Sequence, residues 1–151
     1  MNGDMMTKAI GAKEKEMISF LERLVNIDSG ADNPDGIAKV AKIVGEKLAQ
    51  MNFEVEYIEH PGICTHVKAK KRGTGDQEIM IIGHIDTLFG KGTVAERPFT
   101  IKDGKAFGPG VLDMKGGVTV ALFALQALYE AGWNDQNVTV FLAGDEETNH
   151  P

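Results

Sequence analysis

Apolar positions in the first third of the chain recur at helical spacing. Met17, Phe20, Leu21, Leu24 and Val25 follow one another at steps of three and one, which predicts a helix from about Lys13 to Asn26. The polar segment SGADNPDG interrupts the pattern with turn chemistry and offers Asp35 as a helix cap. Ile37, Val40, Ala41, Val44, Leu48 and Met51 then mark a second helical stripe, ending near Met51. The period changes at Phe53. Phe53, Val55 and Tyr57 alternate with Glu54 and Glu56, and Thr65, Val67 and Ala69 alternate with His66, Lys68 and Lys70, so both stretches predict half-exposed strands with His66 on the polar face. Ile79 to Ile82 and Val138 to Ala143 are nearly unbroken apolar runs, the pattern of central strands covered by helices on both faces. Between them, Asp103-Gly104 suits a two-residue hairpin turn within Phe99 to Phe107, and a long helix is predicted from Lys115 to Ala131.

This order predicts an α/β fold with a mixed, largely buried central sheet flanked by helices. The last buried strand runs into Gly144-Asp145-Glu146-Glu147 with no crossover or cover after it. Residues 1–151 are therefore expected to be the amino-terminal part of a longer protein.

Composition narrows the function classes. Sixteen Lys and Arg against 22 Asp and Glu give a net charge of −6, and 42% apolar residues suffice for a core at 151 residues. The acidic balance argues against a nucleic-acid partner. The cluster Lys68, Lys70, Lys71 and Arg72 reads as a solvated strand end. The single cysteine, Cys64, can form neither an intrachain disulfide nor a CxxC pair, and reads as a small buried apolar residue. The start has no apolar leader and no run approaches the length of a membrane span, so a cytoplasmic location without membrane association is expected.

Ligands of open α/β sheets bind at the carboxyl ends of strands. Three polar groups stand there. His84 and Asp86 follow the first apolar run two residues apart, so that in extended chain both point to one side and the carboxylate can fix the imidazole tautomer. Asp113 sits in the glycine-dense loop before the long helix, where a carboxylate serves as cation ligand or as plain helix cap. Asp145, Glu146 and Glu147 follow the second run, and three adjacent carboxylates repel one another unless a cation or distinct roles separate them. One histidine with several carboxylates suits zinc, manganese or cobalt better than calcium. Rival sites fail on the residues: Asp113 breaks GxGxxG at its third glycine, and neither a phosphate-binding GxxxxGK[ST] nor a GxSxG elbow occurs.

GHIDTLF, KGTVAERPFTIKDGKAFGPGVLDMKGG and AGDEE, in this order and spacing, resemble the two-metal aminoacylase and carboxypeptidase family of glutamate carboxypeptidase, acetylornithine deacetylase, succinyl-diaminopimelate desuccinylase and peptidase T. The long middle stretch is most similar to the glutamate carboxypeptidase branch. The resemblance spans the whole chain. It implies that His84 ligates one metal, Asp113 bridges two, and Glu147 ligates the other. Asp86 would orient His84, and Glu146 would be the general base. The cofactors implied are two divalent ions, zinc first, with cobalt or manganese as alternatives. The reaction implied is hydrolysis of an amide next to a free carboxylate, in a small peptide or an N-acyl amino acid, by a parent protein that forms a homodimer. The family's further carboxylate, late histidine and inserted dimerisation domain have no counterpart here. His150 does not correspond to the late histidine. The 151 residues alone are therefore expected to be inactive. A non-catalytic metal-binding or interaction module is the competing expectation, and a dinucleotide-binding domain is a weaker third.

Overall fold

A computed structural model describes residues 3–147. The described chain runs α1 (Gly3–Gly11), α2 (Glu14–Val25), α3 (Pro34–Gln50), β1 (Glu54–His60), β2 (Cys64–Lys71), β3 (Glu78–His84), α4 (Thr93–Glu96), β4 (Thr100–Lys102), β5 (Lys105–Phe107), α5 (Lys115–Glu130) and β6 (Asn137–Ala143). The larger sheet has the order β1-β2-β6-β3. Its first two pairings are antiparallel, whereas β6 and β3 run parallel, so the sheet is mixed and flanked by helices.

The helical and strand periods place the core. Ile37, Val40, Ala41, Val44 and Leu48 of α3 are fully buried and join Val67 and Ala69 of β2 in one apolar cluster. Register carries that face across the sheet, because Ala69 pairs with Val140 and Val67 with Leu142 on β6. Val118, Leu122, Phe123 and Leu125 of α5 join the same cluster, and the Phe123 ring meets Phe20 of α2 edge to face at 5.8 Å. In the separate β4–β5 hairpin, Asp103 (φ +51°) and Gly104 (φ +72°) both take the left-handed conformations that a type I′ turn requires.

Two expectations need correction. β3 is an edge strand, not a central one covered on both faces: Met80 is 58% and Ile82 67% exposed on its uncovered side. An apolar run reports the environment a strand is suited to, and no described element covers that side. Asp35 is not a cap, because α3 starts at Pro34 with Asn33 in the cap position, and no side-chain cap bond forms. Proline already fixes the first-turn geometry. One element, α1, is not among those the pattern above predicts. It is held against α5.

Candidate metal centre

Parallel pairing of β3 with β6 sets His84 opposite Ala143, so the carboxyl ends of both strands open at one place. Glu146 and Glu147 follow β6 directly, and the loop before α5 brings Asp113 to the same end. That loop reverses through Gly110, whose φ of +70° a side chain rarely adopts, and a Cβ there would also strike the Thr87 methyl. Gly110 C=O accepts the Lys115 N–H at 2.9 Å and starts α5 immediately after Asp113.

His84 is the centre of the cluster and only 7% exposed at its side chain. Its Nδ1 lies 3.2 Å from the backbone oxygen of Asp86 and 3.4 Å from Asp86 Oδ1. Two acceptors around Nδ1 favour the tautomer with the proton there, leaving the Nε2 lone pair facing outward. Nε2 points at carboxylates: Asp113 Oδ1 is 3.1 Å away and Glu146 Oε2 3.7 Å. One donor atom each from His84, Asp113 and Glu147 lie within 4.8 Å of one another. A lone pair and several carboxylate oxygens converging without a shared proton repel, and a divalent cation resolves that conflict. The donor set, one imidazole and two carboxylates, is suited to zinc or a similar ion. Burial raises the Glu147 carboxyl above its ordinary value, with the Asp113 carboxylate adding to the rise and His84 opposing it.

Asp86 does more than the sequence indicated. It is fully buried; Oδ2 accepts the Glu147 N–H at 2.7 Å, while Oδ1 has no hydrogen-bond partner. Asp86 thus joins the two, its backbone oxygen facing the imidazole of β3 and its carboxylate holding the loop after β6. The backbone N–H of His84 donates to Met114 Sδ at 3.2 Å, a contact between residues 30 apart that no local pattern signals. Lys115 was also missed as a structural group. It is fully buried, its ammonium donates to Ile27 C=O at 2.8 Å, and burial pushes its pKa down to about 8, against the opposing pull of Asp28. Asp113 is not the cap of α5, since Met114 occupies that position and makes no side-chain cap bond. His150 lies outside the described residues.

Residues 80–150 match the family described as Peptidase family M20/M25/M40. The chain is a relative of the M20 peptidases. It is 33% identical over 147 residues to carboxypeptidase G2 of Pseudomonas sp. (strain RS-16), covering 95% of this chain and 35% of that protein. It is 32% identical over 119 residues to acetylornithine deacetylase of Vibrio campbellii, covering 75% of this chain and 30% of that one. The chain thus spans about a third of the length of these curated M20 relatives. Its fold superposes on human carnosine dipeptidase 1 with a TM-score of 0.81 at 20% identity, over 96% of this chain and 36% of that one. An M20 family metallo-carboxypeptidase from Sulfolobus solfataricus gives 0.75 at 22% identity, over 87% and 31%. Among the described residues, no helix is long and apolar enough to cross a membrane.

Proposed function

We propose that these residues belong to a metal-dependent hydrolase that cleaves an amide bond next to a free carboxylate. The observation that carries this reading is the convergence of Asp113 and Glu146 on His84 Nε2, with Nδ1 already occupied by Asp86. His84 would hold one ion, Asp113 would bridge it to a second and Glu147 would hold that second ion, and zinc suits the donor set best. Such ions supply a water of lowered pKa and polarise the scissile carbonyl. Glu146 stands beside the cluster with its carboxylate 58% exposed, which leaves it able to take a proton from water and return it to the leaving amine. Asp86 would hold the His84 tautomer through its backbone oxygen and the Glu147 backbone through its carboxylate.

The names of the M20 relatives, a carboxypeptidase and a deacetylase, support small peptides or N-acyl amino acids as the substrate class. Three protein ligands are too few to complete two metal shells. On this reading residues 1–151 are the amino-terminal part of the catalytic domain, inactive alone, within a homodimeric cytoplasmic parent whose remaining ligands lie elsewhere. The exposed Met80 and Ile82 beside β6 accord with that view. The test is hydrolysis of N-acyl amino acids and glutamate-terminated peptides, with zinc, by the product of the complete reading frame and by the 151-residue chain. Turnover is expected from the former, lost in Glu146→Gln, and none above background from the latter. Zinc binding without turnover by the complete product would favour the non-catalytic module instead.

A further inference from the structure

A second group of chemically capable side chains sits where β2 meets the end of β6. Cys64 and His66 lie two apart on β2. Cys64 Sγ is 3.6 Å from His66 Nε2, and Asp145 Oδ1 is 3.7 Å from His66 Nδ1. One donor atom from each of the three falls within 4.8 Å of the others, so composition and proximity suggest a second zinc site.

One contact points to another role. The backbone N–H of Gly144 donates to His66 Nδ1 at 3.1 Å. A neutral imidazole that accepts at Nδ1 carries its proton on Nε2, so Nε2 has no lone pair for a cation and directs its N–H at the Cys64 sulfur. Burial, reinforced by Asp145, holds the Cys64 thiol protonated, its pKa pushed up to about 11. The sulfur is then a weak acceptor rather than a ready thiolate ligand. Packing fixes the ring further: it stacks on Phe141 with centroids 5.8 Å apart, and His60 meets it edge to face at 5.1 Å.

Gly144 opens the stretch that ends in Glu146 and Glu147. The far end of that stretch is already held, because the Glu147 N–H donates to Asp86 Oδ2. We propose that His66 is a positioning residue: by accepting the Gly144 N–H at Nδ1, it fixes the near end of the Gly144–Glu147 loop and so sets where Glu146 and Glu147 stand relative to His84. This rests on the reading of His84, Asp113 and Glu147 as a metal centre. Two strands contribute one tether each, β2 through His66 and the end of β3 through Asp86, and neither tether needs to contact the metal.

The test compares the product of the complete reading frame with its His66→Leu, His66→Asn and His66→Gln variants, by amide exchange at Gly144 and by zinc titration calorimetry. Loss of one backbone hydrogen bond is expected to speed Gly144 exchange roughly fivefold in His66→Leu. Loss of a partner behind a metal ligand is expected to weaken zinc binding about tenfold. Asn presents an acceptor where Nδ1 stood and restores both. Gln places its acceptor nearer the former Nε2 and restores neither, which separates a positioning role from general packing. Unchanged Gly144 exchange in His66→Leu and His66→Gln overturns the tether, and changed exchange with unchanged zinc affinity overturns the positioning role. A cobalt adduct with a thiolate charge-transfer band that disappears in Cys64→Ser also overturns it, by showing that a metal takes His66. Failure of the unaltered chain to bind zinc sinks the metal-centre reading instead, and the tether is then judged by the Gly144 exchange ratio alone.

Discussion

Replacing Asp86 with Asn separates two effects that share one side chain. The carboxylate is fully buried; Oδ2 accepts the Glu147 N–H at 2.7 Å, and Oδ1 faces His84 Nδ1 at 3.4 Å without a hydrogen bond. In Asp86→Asn the amide oxygen keeps the Glu147 bond by taking the Oδ2 position. The NH2 group must then stand at the Oδ1 position, where it presents a donor to Nδ1. That sets a donor against Nδ1, leaves the Asp86 backbone oxygen at 3.2 Å as the remaining acceptor there, and so weakens the preference that keeps Nε2 free for a metal. Loss of such a partner behind a ligand costs about 10- to 100-fold in metal affinity, or roughly 1.4–2.7 kcal/mol. Folding stability moves differently. The lost Oδ1 made no hydrogen bond, and a neutral amide is less costly to bury than a carboxylate, so the metal-free variant should melt no lower than the unaltered chain. Zinc titration calorimetry and metal-free thermal melts on the same preparations measure both. Undiminished zinc affinity in a folded Asp86→Asn chain would refute the tautomer argument.

Two further outcomes follow from groups outside the cluster. The Lys115 ammonium has a folded pKa near 8 against an ordinary 10.5, so between those values the unfolded chain binds more protons and stability rises with pH. Urea denaturation should show a gain of about 2–3 kcal/mol from pH 7.5 to 10 that is missing in Lys115→Met, and equal slopes in the two proteins would contradict it. Phe123 is buried against Phe20, with the Lys47 ammonium 4.2 Å from its ring centroid. Phe123→Ala should cost about 3–5 kcal/mol in chemical denaturation and Phe123→Leu less than half of that; a loss below 1 kcal/mol for Ala would mean that α2 and α5 do not pack as described.

How far the sequence could be read depended on whether local pattern carried the answer. The stripe from Met17 to Val25 and the alternation at Thr65, Val67 and Ala69 each depend on neighbouring residues, and α2 and β2 formed close to where the periods predict. Asp103-Gly104 was equally legible, because the turn's positive φ angles are a local demand. The placement of β3 at the edge was not, since cover for Met80 and Ile82 depends on what else packs there. The cluster was legible as a set of strand-end residues, and parallel β3–β6 pairing brings His84 beside the stretch that carries Glu146 and Glu147. The Asp86 bond to the Glu147 N–H, Met114 Sδ behind His84 and the His66 bond to Gly144 span 30 to 78 residues, and no spacing rule could have indicated them. The alternation along β2 places His66 on the polar face of its strand and says nothing of its partner.

The central claim is that His84, Asp113 and Glu147 together bind divalent cations. Zinc titration of the product of the complete reading frame, beside its His84→Ala and Asp113→Ala variants, decides it. Saturable binding by the unaltered protein is expected, with a loss of at least tenfold in affinity in each variant and folding retained by circular dichroism. Absence of binding, or binding that neither substitution weakens, would contradict it.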